Sequence, residues 1–301
     1  IFRTRLPRLG QLLFLESSFK LALMLCGVMT IGLLLISLYS LISESLPSIS
    51  QFGLSFLTST SWDPVFGEFG ALPFITGTLL TTLLALLIST PISLSIAIFL
   101  NFYVTNKRLL TIIKSGVELL AWVPSVIFGF WGLSVLVPLV RNVELFMGAP
   151  PYGVGILTAS IILAIMIIPY STTVAYDIMG MIPSTLKEAS YAMGATKFET
   201  IIYIVIPWSW SGIMSGILLA LGRALGETMA VTMVIGNSNV IPDSIFSTGN
   251  TIASVIANEF SEATEDLYLS SLVQLGLVLF FITTLFSVLG QKLVKRWSFK
   301  K

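Results

Sequence analysis

Apolar and polar positions follow one another along this chain in long blocks rather than at a helical or strand period. Apolar runs cover about residues 21–42, 72–100, 117–140, 153–176, 208–236 and 268–289. Each is near the ~20 residues that cross a ~30 Å hydrocarbon core as a helix. Spanning barrels are written instead as short alternating segments, and none appear. The pattern predicts an all-α integral membrane protein with six transmembrane helices.

The polar stretches between the runs set the orientation. Residues 1–20 carry Arg3, Arg5, Arg8 and Lys20, a basic tail. Segment 43–71 has no Lys or Arg, and residues 141–152 form a brief turn. Lys107, Arg108 and Lys114 follow the second run, Lys187 and Lys197 lie in a hydrophilic loop at 177–207, and Lys292, Lys295, Arg296, Lys300 and Lys301 close the chain. With six spans, all of the 16 Lys and Arg except Arg141 and Arg223 fall on one side. Positive-inside counting therefore places both termini and the 177–207 loop in the cytoplasm. The opposite segments are acidic, with Asp63, Glu68, Asp243, Glu259, Glu262, Glu265 and Asp266. The chain divides into residues 1–71 (basic tail, first span and extracytoplasmic segment), a five-span core at 72–291, and a basic tail at 292–301. A removable signal peptide is not expected, because the run Leu21–Ile42 is long enough to span and lacks a small-residue cleavage site.

Composition agrees and excludes several chemistries. The chain is 55% apolar and 10% charged, with a mean hydropathy of +0.95, against roughly a quarter charged in soluble domains. Histidine is absent and Cys26 is the sole cysteine, so imidazole catalysis, an imidazole metal site and an intrachain disulfide are all ruled out. No nucleophile–base pair or metal cluster is visible, so no catalytic or metal-binding residue is expected. No G-x-x-x-x-G-K-[ST] string exists to cradle ATP phosphates; if ATP drives this protein, a partner subunit binds it, and this chain holds no cofactor. Nothing points to a nucleic acid partner.

Pro91, Pro124 and Pro169 fall inside the apolar runs. They are either hinges or the tolerated prolines of membrane helices, where neighbours re-satisfy the freed backbone groups. Gly212, Ser215, Gly216 and Ala220 suit close helix packing.

The hydrophilic loop encodes two short helices. Thr185-x-x-Glu188 after Pro183 fits a capping box, Gly194 fits a helix stop, and Thr196-x-x-Glu199 is a second capping box whose helix Pro207 is expected to end. Leu186, Ala189, Met193, Phe198, Ile201 and Ile202 exceed the apolar content of a solvated linker. The elbow either lies on lipid headgroups or is gripped by a soluble partner. Glu188-Ala189-Ser190, three residues, Gly194, nine residues, then Ile204-x-Ile206-Pro207 is similar to the EAA motif of ATP-binding-cassette importer permeases, with Ser190 for Ala and Ile206 for Leu. In that family the elbow docks on an ATP-hydrolysing subunit. The resemblance implies that Glu188, Ala189, Ser190, Gly194, Ile204 and Pro207 form this coupling element.

Arg223 and Glu227 stand four apart in the fifth run, the spacing of one helix face. An arginine near the middle of a span costs roughly 2.5–3.5 kcal/mol on insertion scales and normally faces a cavity or pathway. A partnering carboxylate offsets that only in part. The pair either locks helices together or serves a passing anion, for which the planar guanidinium fork suits a phosphate-like group.

The string Gly222-Arg-Ala-Leu-Gly-Glu-Thr-Met-Ala-Val231 closely resembles the phosphate-specific transport permeases, as do residues 123–132 (Val-Pro-Ser-Val-Ile-Phe-Gly-Phe-Trp-Gly) and 256–260 (Ile-Ala-Asn-Glu-Phe). The likeness covers roughly residues 10–295; Tyr176 departs from it, standing where a basic residue is expected. It implies a type I importer permease in the bacterial plasma (inner) membrane. An extracytoplasmic protein delivers inorganic phosphate, a related permease subunit shares the pore, and two ATP-binding subunits drive it. Arg223 and Glu227 are then the substrate pathway. The rivals are a molybdate or sulfate permease, against which the 222–231 string argues, and an ion-gradient-driven transporter, which needs no such elbow and is expected to show repeated broken helices.

Overall fold

The computed structural model describes residues 9–297; Arg3, Arg5, Arg8, Lys300 and Lys301 lie outside them. Among the described residues six helices are long and apolar enough to cross a membrane: Ser18–Phe52, Leu72–Tyr103, Ser125–Met147, Ile156–Gly180, Lys197–Leu225 and Asp266–Lys295.

Helix α1 (Leu9–Phe52) has 44 residues and is therefore about 66 Å long, twice the hydrocarbon core. Its apolar flank from Leu21 to Ile36 is exposed, and it meets the rest of the chain at its C-terminal end. There the Ser48 amide donates to Ser270 Oγ (3.0 Å) and the Ser48 hydroxyl to Gln274 Oε1 (2.5 Å) on α13 (Asp266–Trp297). Segment 43–71 is thus largely ordered. It finishes α1, adds α2 (Ser55–Thr58), and turns through an antiparallel pair, β1 (Trp62–Asp63) and β2 (Glu68–Phe69). Trp62 lies edge-on to Phe69 and Phe74 at 5.0 Å, and Phe69 stacks on Tyr268 at 5.5 Å.

Helix α7 (Ile156–Gly180) is the centre of the molecule. Its most apolar window is 67% buried, and α3 (Leu72–Ile98) and α10 (Ile206–Leu225) pack along it. Two small residues allow the α10 approach. A Cβ at Gly212 would meet Ile178 at 2.6 Å, and one at Gly216 would meet Val174 at 3.0 Å. Ala220 is buried in the same seam, whereas Ser215 is exposed and takes no part in it. Close packing by small residues is the usual way for membrane helices to gain contact.

The third apolar run, expected as one span at 117–140, is two helices. Helix α4 (Lys107–Trp122) is apolar on one face only, and Asn106 caps it by accepting from the Arg108 amide at 2.9 Å. Pro124 then interrupts. The residue before a proline avoids helical angles, and Val123 is extended at φ −68°, ψ 126°. The crossing helix restarts as α5 (Ser125–Trp131), widens into a π-helical turn at Gly132–Leu136, and continues as α6 (Val137–Met147). Arg141 therefore lies in a helix rather than a turn. So does Glu144, which is buried and accepts from the Gly153 amide at 2.6 Å. Pro124 is no hinge inside a span but the break between two helices.

Three other boundaries move. The fourth span runs to Gly180, so Asp177 is helical and the loop is shorter than 177–207. Pro207 does not end a helix: α9 (Lys197–Thr200), a π-helical turn (Ile201–Val205) and α10 form one rod from Lys197 to Leu225. Proline clashes with the carbonyl four residues back in a regular helix. The wider turn, in which the Ile206 amide bonds to the Ile201 carbonyl, accommodates it. The fifth span stops at Leu225 instead of Gly236. Beyond it lie α11 (Met229–Val234) and α12 (Ile252–Glu259). Glu259 accepts from Trp62 Nε1 (2.7 Å), Tyr268 OH (2.8 Å) and Asn239 Nδ2 (3.2 Å), tying the β-pair, α12 and α13 together.

Candidate functional site

The rod from Lys197 to Leu225 carries one candidate site at each end: an exposed elbow below it and the charged pair at its top. Helix α8 (Ser184–Ala192) opens the elbow. It begins one residue before Thr185, with Pro183 at its N-cap and no side-chain cap bond. The predicted Thr185–Glu188 box is therefore not formed, since Thr185 already lies within the first turn. Gly194 does stop the helix. Its φ of +87° suits a residue without a Cβ, and the Ala195 amide reaches back to the Ser190 carbonyl at 3.2 Å. The second box forms as expected: the Thr196 amide donates to Glu199 Oε2 at 2.7 Å and the Glu199 amide to Thr196 Oγ1 at 3.3 Å.

Glu188 and Ala189 are exposed on α8, next to Met193 (89% exposed), and Phe198 on α9 is 66% exposed. An apolar, protruding surface of this kind marks a contact site. Ser190 instead turns inward, its hydroxyl 2.9 Å from that of Thr200, so it braces the two elbow helices against each other. Ile204 and Pro207 are half-buried in and just after the π-helical turn. They belong to the joint between elbow and span and not to the exposed surface.

At the other end Arg223 occupies the last turn of α10, where the helix dipole favours a cation. The helix ends at Leu225, so Glu227 is not on the same helical face, contrary to the spacing argument. It reaches Arg223 from the Gly226–Thr228 link. Arg223 Nη2 and Glu227 Oε2 are 3.5 Å apart, with the arginine side chain 44% exposed and the glutamate 5% exposed. Glu227 Oε1 also accepts from the Ala230 amide at 3.4 Å, at the start of α11. The carboxylate is thus the fixed, buried partner and the guanidinium the accessible one.

Tyr170 of α7 lies 5.9 Å beneath the Arg223 guanidinium, and it also lines a cleft of about 200 Å³ between α4, α7 and α10. Glu118, Trp122, Thr173 and Leu219 contribute to that wall. Lys114 closes the α4–α7 seam nearby, 3.7 Å from Asp177 Oδ1, 3.9 Å from Glu118 Oε1 and 4.6 Å above the Tyr176 ring. Sequence reasoning missed Tyr170, Lys114 and Glu118, since only the packing of α4 on α7 brings them together; the one visible hint was the charge density of 107–118. Among the described residues no group of acidic or Cys side chains is placed to hold a metal.

Residues 89–299 match the family of binding-protein-dependent transport system inner membrane components. The chain is 47% identical to the phosphate transport system permease protein PstC of Mesorhizobium japonicum, covering 85% of this chain and 83% of that protein. It is 43% identical to PstC of Haemophilus influenzae over 94% of each. Its fold is like that of a chain in the bacterial alginate ABC transporter crystallised with an alginate pentasaccharide-bound periplasmic protein, at a TM-score of 0.65 and 18% identity, covering 98% of this chain and 99% of that one. The architecture is that of a type I ABC importer permease. With a family match over most of its length and near-half identity to curated members, the chain belongs to the binding-protein-dependent transport system inner membrane components.

Proposed function

We propose that this chain is the permease subunit of an ATP-driven importer of inorganic phosphate. The observation that carries the reading is the likeness to phosphate permeases over nearly the whole length, and the charged pair supports it chemically. A dianion entering low dielectric needs a cation that never deprotonates and offers two parallel donors. Arg223 offers a half-exposed fork, while buried Glu227 offsets part of its field, so that the anion is attracted without being trapped. Arg223 and Glu227 line the substrate path, and neither performs covalent chemistry; the chain is a non-catalytic subunit.

The elbow supplies the driving contact. Glu188 and Ala189, with the exposed Met193, face away from the body of the protein and present a docking edge to one of two ATP-binding subunits. Gly194 sets the elbow's angle, and Ser190, Ile204 and Pro207 hold its shape. A related permease subunit completes the pore, and an extracytoplasmic phosphate-binding protein loads it. ATP is held by the partner subunits and no cofactor by this chain. The protein sits in the bacterial inner membrane with both termini and the elbow in the cytoplasm, as the basic residues require.

The test is uptake of labelled phosphate into cells or vesicles containing the assembled transporter. Uptake is expected to stop on ATP depletion and to survive an uncoupler; the opposite response identifies a gradient-driven carrier. Molybdate and sulfate in excess are expected not to compete, and competition by either reassigns the anion.

A further inference from the structure

The far end of α3 holds the elbow by two aromatic rings. The turn that continues it, Phe99–Tyr103, is π-helical, with the Val104 amide bonded to the Phe99 carbonyl at 3.2 Å. Asn101 fixes that turn to the end of α7 by donating to the Tyr176 carbonyl at 3.0 Å. The two adjacent rings then face different halves of the elbow. Lys187 Nζ, on α8, lies 5.3 Å over Phe102, and Lys197 Nζ, on α9, lies 4.5 Å over Tyr103. Phe99 stacks on Tyr103 at 6.5 Å with the rings 11° from parallel, which fixes the second ring in turn. Among the described residues neither lysine is in a salt bridge. Each ammonium therefore meets the electron-rich face of a ring while its stem covers apolar surface. The grip falls on both sides of Gly194, where the elbow turns at φ +87°.

From this geometry we infer that Phe102 and Tyr103 are positioning residues that make the elbow and α3 move as one body. The inference rests on the elbow being the element on which the ATP-binding subunits push. A push on α8 and α9 passes through the two ammonium–ring contacts into α3. Helix α3 packs along α7, and α7 carries Tyr170 beneath Arg223. Without the rings the elbow still docks and ATP is still hydrolysed, but the part of the stroke that α8 receives is lost at the Gly194 turn before it reaches α3. Because proximity alone does not establish coupling, the measurement must separate hydrolysis from transport.

The experiment uses the complete transporter in vesicles, supplied with its binding protein and inorganic phosphate, and reads ATP hydrolysed and phosphate imported together. The unaltered complex is expected to import phosphate only with ATP; failure there overturns the transporter reading itself. In the Phe102→Leu/Tyr103→Leu variant, ATP hydrolysed per phosphate imported is expected to rise about two- to fivefold, the effect of losing contacts of this kind. Phe102→Tyr/Tyr103→Phe keeps the ring faces and is expected to restore the ratio. The Lys187→Met/Lys197→Met variant keeps the stems and should match the leucine variant, while Lys187→Arg/Lys197→Arg should match the unaltered protein. If the leucine variant fails to assemble, the lysine variants decide alone. An unchanged ratio in the methionine pair, with the unaltered complex active, overturns the strut and leaves the transporter reading standing. Equal damage in the ring-preserving variant also overturns it, since ordinary packing would then be the cause.

Discussion

At the scale of single residues, burial is what separates the roles of Arg223 and Glu227. Four positions apart, they look equivalent in the sequence. In the fold the carboxylate is sealed against the start of α11 and the guanidinium is left accessible. On the proposed reading, removing the accessible cation while its buried partner stays charged leaves an uncompensated carboxylate in the path, which repels an incoming anion. Arg223→Ala is therefore expected to lower phosphate uptake by roughly ten- to a hundredfold at equal membrane abundance, the worth of a hydrogen bond to a charged group. Arg223→Lys keeps the charge and loses the planar fork, so an intermediate rate is expected. Initial uptake rates check both, and an alanine variant that transports normally excludes Arg223 from the path. Ser190 shows the reverse case, an EAA-like position whose side chain faces Thr200 inside the elbow rather than a partner.

Among the elements, the elbow and the rod above it depend on two backbone devices. Gly194 turns the chain at φ +87°, a conformation that costs an L-residue about 1–2 kcal/mol. The π-helical turn at Ile201–Val205 lets Pro207 stand within a continuous rod. The second half of the elbow is thus a continuous extension of α10, and α8 joins it through the Gly194 turn. Gly194→Ala is expected to loosen it, so that trypsin cleavage after Lys187 or Lys197 in the purified chain accelerates about five- to thirtyfold. Ser190→Ala loses one half-buried hydrogen bond, while Thr200 keeps its bond to the Thr196 carbonyl at 3.0 Å. That costs about 0.5 kcal/mol, and cleavage is expected to change by less than about threefold. Equal cleavage rates in the glycine and alanine proteins would remove the conformational reason for Gly194.

For the whole molecule, the alternation of six spans fixes which loops share a side. Charge counting is expected to put the elbow with the termini, and the β1–β2 turn on the opposite face. In a Cys26→Ala background, Thr185→Cys is expected to react with a membrane-impermeant thiol reagent only in inside-out vesicles. Phe66→Cys, at the exposed tip of the β-turn, is expected to react only in right-side-out ones. The converse pattern inverts the topology. The same scale explains α1, whose apolar flank finds no cover within its own chain. On the proposed reading, a related permease subunit would offer that helix a second surface.

Composition and run length alone were enough to specify a six-span membrane protein, because hydrophobic transfer is summed over ~20 residues and does not depend on what each span packs against. The elbow's Gly194 stop and Thr196–Glu199 cap were equally legible, because capping is a contest settled within four residues of chain. Packing decided the rest. Val123–Pro124 splits an apolar run that hydropathy reads as one, and the end of α10 at Leu225 moves Glu227 off the helix that carries Arg223. A π-helical turn lets a proline pass. None of these is visible in periodicity: the first is the local steric effect of Pro124 on Val123, and the other two depend on which backbone carbonyl a given amide finds once neighbouring helices have closed around it. Tyr170 beneath Arg223, and the rings of Phe102 and Tyr103 beneath Lys187 and Lys197, pair residues from helices distant in sequence. Only the tertiary structure could bring them within reach of one another.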